Sequence, residues 1–96
     1  DYLVTLVRRT REHEEVQLGA SPRATLALAR AAQAAALLAG RPFVIPDDVR
    51  RVAVPVLAHR LRLTPRAELH GLTAEALVRA VLDEVPVPVE ELVEGA

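Results

Sequence analysis

The chain has 96 residues, enough for one domain, with 51% hydrophobic residues and a formal net charge of −1. Its only aromatics are Tyr2 and Phe43, so the core must be Leu, Val and Ala, which suits packed helices better than a β-sandwich. The absence of cysteine excludes disulfides and thiolate metal sites; all twelve basic side chains are arginine, which excludes a P-loop, whose lysine must reach the nucleotide phosphates.

From Asp1 to about His13, Leu3, Leu6, Val7 and Thr10 recur at i, i+3, i+4 and i+7, with Arg8, Arg9, Arg11 and Glu12 elsewhere. That spacing predicts an amphipathic helix. Glu14, Glu15 and Gly19 bracket a short connection. Ser21 then stands where a side-chain oxygen can cap a helix, and Pro22 takes the first helical position, where its missing N–H costs nothing. Nine alanines follow between Arg23 and Ala39 without a breaker, and Gly40 ends the run. Alanine on several faces predicts close approach by neighbouring backbones, as in the central helix of a bundle.

A loop over 41–45 leads to Pro46-Asp47-Asp48, where carboxylates favour the positive end of a helix dipole. Val49, Val52, Ala53, Val56 and Leu57 trace one face of that third helix, and Pro55 predicts a kink or an early end. Between His59 and Leu63 the pattern alternates, which predicts a short extended segment closed by Pro65. Gly71 and a Thr73 cap open a fourth helix, with Ala74, Leu77, Val78, Val81, Leu82 and Val85 at helical spacing. Pro86 and Pro88 end it. The expectation is an all-α fold over 1–88, a four-helix bundle with a short extended segment between the third and fourth helices. An acidic, poorly ordered tail is expected over 89–96.

No catalytic centre is legible. His13, His59 and His70 lie in separate segments without metal-ligand spacing, so no metal site is expected. Ser21 is the only serine and has a structural job. Glu14–Glu15, Asp47–Asp48 and Asp83–Glu84 are sequence neighbours, whose side chains point in different directions on a helix. No apolar run reaches the ~18 residues of a membrane span, and no signal peptide is visible. The lack of methionine points to a piece of a longer protein.

Arg23 stands apart because of its place. In the first turn of a helix, unpaired N–H groups and the dipole favour an anion, and a guanidinium adds a planar fork suited to phosphate oxygens. Charge is also uneven: residues 1–66 carry eleven Arg against six acids, and residues 67–96 one Arg against seven. An arginine-rich nucleic-acid-binding module is therefore one alternative. The acidic last third and the scarcity of stacking aromatics weigh against it. A plain protein-interaction bundle is another, and it would gain from an Arg23 buried in an ion pair.

The stretch Gly19-Ala20-Ser21-Pro22-Arg23-Ala24, the alanine-rich helix after it, Gly40-Arg41-Pro42-Phe43-Val44, Pro46-Asp47-Asp48-Val49 and Val56-Leu57-Ala58-His59-Arg60-Leu61 together resemble the C-terminal lid of MoxR-family AAA+ ATPases. The resemblance runs from about Tyr2 to Pro88. It implies that Arg23 is the sensor 2 residue, approaching the γ-phosphate of ATP held by a preceding α/β core, with Ser21 and Pro22 fixing the helix start that aims it. Whether that ATP belongs to the same or the neighbouring subunit is left open. The resemblance further implies ATP and Mg2+ bound mainly by the core, a hexameric ring, cytoplasmic chaperone-like remodelling and partners bearing von Willebrand factor A domains. The chain alone is expected not to hydrolyse ATP. One position departs from the pattern: Ile45 stands where the family commonly has Thr or Ser, which removes a side-chain cap that Asp48 can replace by reaching back. His59 and Arg60 belong to the shared pattern without a mechanistic role to carry over.

Overall fold

A computed structural model describes residues 1–19 and 21–88; the acidic tail expected over 89–96 lies outside the described residues. The chain forms helix α1 (Tyr2–Glu12), strand β1 (Val16–Leu18), helices α2 (Pro22–Leu38) and α3 (Pro46–Leu57), a 3-10 turn (Ala58–Arg60), strand β2 (Arg62–Leu63), and helices α4 (Pro65–Leu69) and α5 (Ala74–Glu84). The all-α expectation holds, and its four helices are α1, α2, α3 and α5.

Each helix starts with local chemistry. The Asp1 carboxylate accepts from the Leu3 N–H at 2.8 Å to open α1, and Thr73 caps α5 by accepting from the Ala76 N–H at 3.1 Å. The expected Ser21 cap is not made. Ser21 holds the extended backbone of a cap residue, but its side chain accepts no cap bond, and Pro22 at the first helical position is what presets the turn.

Gly40 ends α2 in a Schellman turn. Its φ is +84°, its N–H donates to the Leu37 carbonyl, and the Arg41 N–H reaches back to Ala36, both at 2.9 Å. Gly71 repeats the device after α4, with φ +86° and the Leu72 N–H on the Ala67 carbonyl at 3.1 Å. The Leu72 side chain packs on the small cluster of Leu63, Ala67 and Leu77.

Three features differ from the sequence reading. Helix α3 does not stop at Pro55 but runs to Leu57 before tightening into the 3-10 turn. The missing Pro55 N–H leaves the Arg51 carbonyl, four residues earlier, without its helical donor; both residues lie on the exposed face of α3, where water can take that place. The segment expected to be extended from His59 is 3-10 through Arg60, and only Arg62 and Leu63 are strand. They pair antiparallel with Val16–Leu18, which the sequence showed only as a connection. Pro65 opens α4 instead of merely closing the strand, because Thr64 caps it from the Ala67 N–H at 3.1 Å.

The main core gathers Leu6 and Val7 of α1, Leu28 of α2, Val49 and Leu57 of α3, and Val78 and Val81 of α5. Helices α2 and α3 form the most extensive pairing. Ala24 and Ala32 of α2 and Ala53 of α3 are fully buried, but α2 is buried on one face only, with Leu26, Ala34, Leu37 and Leu38 exposed, so it is not the central helix expected from its alanines. Thr10 is buried too, and its hydroxyl is satisfied by donating to the Val7 carbonyl at 2.6 Å.

Two substitutions read this architecture. Leu28→Ala, at a side chain with no exposed surface, should lower unfolding free energy by about 3 kcal/mol in urea titrations. Gly40→Ala should lower it by about 1–2 kcal/mol, because its left-handed backbone disfavours a Cβ although nothing crowds the site.

Candidate functional site

Arg23 lies in the first turn of α2, solvent-exposed, with Ser21 and Pro22 also exposed beside it. The buried face of α2 is Ala24, Leu28, Ala32, Ala35 and Ala36. Arg23 therefore falls on the opposite side, at the head of an outward stripe continued by Leu26, Arg30, Gln33 and Leu37 at helical spacing. Among the described residues its guanidinium makes no ion pair or hydrogen bond. The buried, ion-paired Arg23 that would have favoured the plain interaction-bundle reading is not found.

Other arginines contrast with it. Arg9 pairs with Glu84 at 3.1 Å. Arg50 donates to the Tyr2 hydroxyl at 3.2 Å and to the Leu82 carbonyl at 3.0 Å, tying together α1, α3 and α5. Arg60 turns back onto the Val56 carbonyl at 3.0 Å, and His59 is exposed on the same 3-10 turn. These side chains serve the fold, whereas Arg23, like Arg30 farther along the same outward stripe, has no partner among the described residues; its place in the first turn of α2 sets it apart.

At the far end of α2, Arg41 and Asp48 form a bidentate ion pair. Arg41 Nη1 donates to Oδ2 of Asp48 at 2.6 Å and Nη2 to Oδ1 at 2.7 Å. The Ile45 N–H donates to Oδ2 at 2.8 Å. Ile45 has no side-chain acceptor, so Asp48 supplies the reach-back expected at this departure from the family pattern. Asp48 has no exposed surface. The Arg41 fork lowers its carboxyl from the ordinary 3.8 to about 2, with help from the Ile45 N–H and against the opposing effect of burial. The same bond raises the Arg41 pKa. Sequence reading found the Asp48 reach-back but missed Arg41, because a pairing seven residues apart across a loop carries no periodic signal.

None of the described residues form a cluster of three or more His or acidic side chains able to hold a metal ion. No described helix is long and apolar enough to cross a membrane. What the first turn of α2 offers chemically is one unpartnered guanidinium beside a dipole end, suited to an anion presented from outside the chain.

The family profile described as AAA lid domain matches residues 8–81. The chain is 50% identical to the uncharacterized protein YeaC of Bacillus subtilis over 94% of its length, and 28% of that protein is covered. It is 41% identical to the chaperone MoxR1 of Mycobacterium tuberculosis over 92% of its length, covering 26% of that protein. A crystal structure described as that of an ATPase from Cytophaga hutchinsonii superposes with a TM-score of 0.83 at 32% identity, over 91% of this chain and 29% of that one. The chain thus spans between a quarter and a third of the length of these relatives.

The buried carboxylate gives the chain an acid-sensitive point. Because the Asp48 pKa is lower in the fold than in the unfolded chain, its stabilisation is fully present above pH 3.8 and is lost as pH falls from 3.8 through about 2. Asp48→Asn should be less stable than the parent chain at pH 7. That gap should narrow between pH 4 and pH 2 in chemical denaturation followed by circular dichroism.

Proposed function

The chain belongs to the AAA lid domain family, as the lid of a MoxR-type ATPase, and from that premise we propose that Arg23 is its nucleotide sensor. The observation that carries this reading is the state of Arg23 itself. Among the described residues it is an exposed guanidinium with no partner, in the first turn of the longest helix, within the Gly19–Ala24 motif that resembles the family's sensor 2 segment. A charged group without an internal partner is available to a phosphate brought by another domain.

In this reading the α/β core that precedes a lid of this type binds ATP and Mg2+, which supply the transferable phosphoryl group and its counter-charge. The contribution of this chain is positional and electrostatic. Arg23 lies against the γ-phosphate and stabilises charge developing on the phosphoryl oxygens during hydrolysis. Ser21 and Pro22 set the start of α2, so the rigid 17-residue helix converts contact at its first turn into movement of the whole lid. Nucleotide state and lid position are thereby coupled, since the lid gains a contact with one state that it lacks with the other.

The lid's association with an AAA+ core, within an oligomeric assembly, follows from the family. A cytoplasmic hexameric ring that remodels or matures partner proteins, von Willebrand factor A domain proteins among them, is the further reading; the name of the Mycobacterium tuberculosis relative, a chaperone, supports the remodelling role.

In the full-length ATPase, Arg23→Ala should lower kcat for ATP roughly a hundredfold, as loss of one preorganised donor to developing charge does. Its unfolding free energy should stay within about 0.5 kcal/mol of the parent, as for an exposed side chain without partners. Arg23→Lys should recover only part of the rate, because it keeps the charge and loses the fork. Unchanged turnover in Arg23→Ala would remove the sensor assignment.

A further inference from the structure

Gly19 lies where the chain leaves β1 on its way to α2, and it passes against the last turn of α1. A Cβ built on Gly19 would sit 2.6 Å from the Arg11 Cα and 2.6 Å from the Arg11 Cγ. The second contact is with a flexible side chain that can turn away. The first is with helix backbone and cannot be relieved by a rotamer change. Gly19 is not among the described glycines with positive φ, which are Gly40 and Gly71. Space alone, and not backbone conformation, reserves this position for glycine.

Neither side of the contact is free to yield. Helix α1 is held by Leu6, Val7 and Thr10, all but fully buried, and by the Arg9–Glu84 pair. The chain before Gly19 is fixed by pairing of Val16 with Leu63 and Leu18 with Arg62, and by the Thr64 N–H on the Glu15 carbonyl at 3.0 Å. Between Gly19 and the buried Ala24, none of the described residues has a buried side chain. Only two residues separate Gly19 from Pro22, and Ser21 contributes no side-chain cap. The first turn of α2 is tied to Ser21 through its carbonyl, which accepts from the Ala24 N–H at 2.8 Å and the Thr25 N–H at 3.3 Å, and to the core by the fully buried Ala24. A displacement forced at Gly19 therefore passes to the turn that carries Arg23.

We propose that Gly19 is a positioning residue for Arg23: its close passage over the Arg11 backbone sets where α2 begins, and so where the guanidinium meets phosphate. This rests on the sensor reading of Arg23. It adds a residue that touches no nucleotide and acts entirely through the helix start. A displacement of about an ångström at a group acting on a reacting phosphate is enough to lower turnover by one to two orders of magnitude.

The test is a double-mutant cycle on ATP turnover in the full-length ATPase, with assembly checked by light scattering. Gly19→Ala should lower kcat roughly tenfold with KM for ATP nearly unchanged. In an Arg23→Ala background the same substitution should lower it no further, because the group it misplaces is gone. Arg11→Ala should leave turnover near the parent value and should not rescue Gly19→Ala, since the Arg11 Cα remains in place. Parental turnover in Gly19→Ala overturns the proposal. So do a loss that adds in full to Arg23→Ala, rescue by Arg11→Ala, or failure of Gly19→Ala to assemble, which would assign Gly19 to folding alone. If Arg23→Ala itself turns over normally, the sensor reading falls first; if only Gly19→Ala does, that reading stands and the positioning role is lost.

Discussion

Among the described residues, the Asp48 carboxylate is the one charged group taken wholly out of solvent, and the arrangement of α2 against α3 depends on how it is satisfied. One buried negative charge would be untenable alone. It is met by both terminal nitrogens of Arg41 and by the Ile45 N–H. These partners come from opposite ends of the same loop. The loop is thus drawn closed around α3's first turn, and the end of α2 is fixed relative to the start of α3. The Schellman turn at Gly40 makes this possible by reversing the chain so that Arg41 leaves α2 pointing toward the acid.

With that corner fixed, small side chains do the rest. Ala24 and Ala32 on α2 and Ala53 on α3 leave no room for solvent between the helices, and Leu28 and Leu57 fill the core behind them. Arg50 adds a second tie through Tyr2 and the Leu82 carbonyl, so the two ends of the described chain meet on the middle helix. A rigid α2 follows, held along its buried face and at its C-terminal end. Its N-terminal turn is anchored to the core by Ala24 alone, with the Pro22 start and the passage of Gly19 across α1 ahead of it. The rigid element of the domain therefore carries its exposed arginine at its least restrained end, which is the arrangement a lever with a contact point requires.

Much of this was legible in one dimension. Helical spacing of Leu6, Val7 and Thr10, and of Leu77, Val78, Val81 and Leu82, located α1 and α5, because burial on one face imposes that period. Proline and glycine marked both ends of α2. The two-stranded ribbon was not legible from its first strand: Val16–Leu18 is three residues long, with one half-buried and two exposed, so it lacks a pattern of its own. Helix α4, at five residues, is likewise too short to show a period. Ser21 misled for a different reason, since a residue can adopt cap geometry in its backbone while its side chain makes no bond.

The sequence by itself determined the helical class, the boundaries of the principal helices and the placement of Arg23 in a first turn, because these follow from local propensity and short-range spacing. It also supplied the ordered motifs by which the family is recognised. Only the tertiary structure decided which arginines are consumed by the fold and which face outward. Arg41 and Arg23 both sit beside an end of α2 and look alike as letters. One lies where the chain folds back onto a buried carboxylate and is fully engaged; among the described residues the other meets no acceptor. That difference depends on what the folded chain brings within about 3 Å, a distance that spacing along the sequence does not encode.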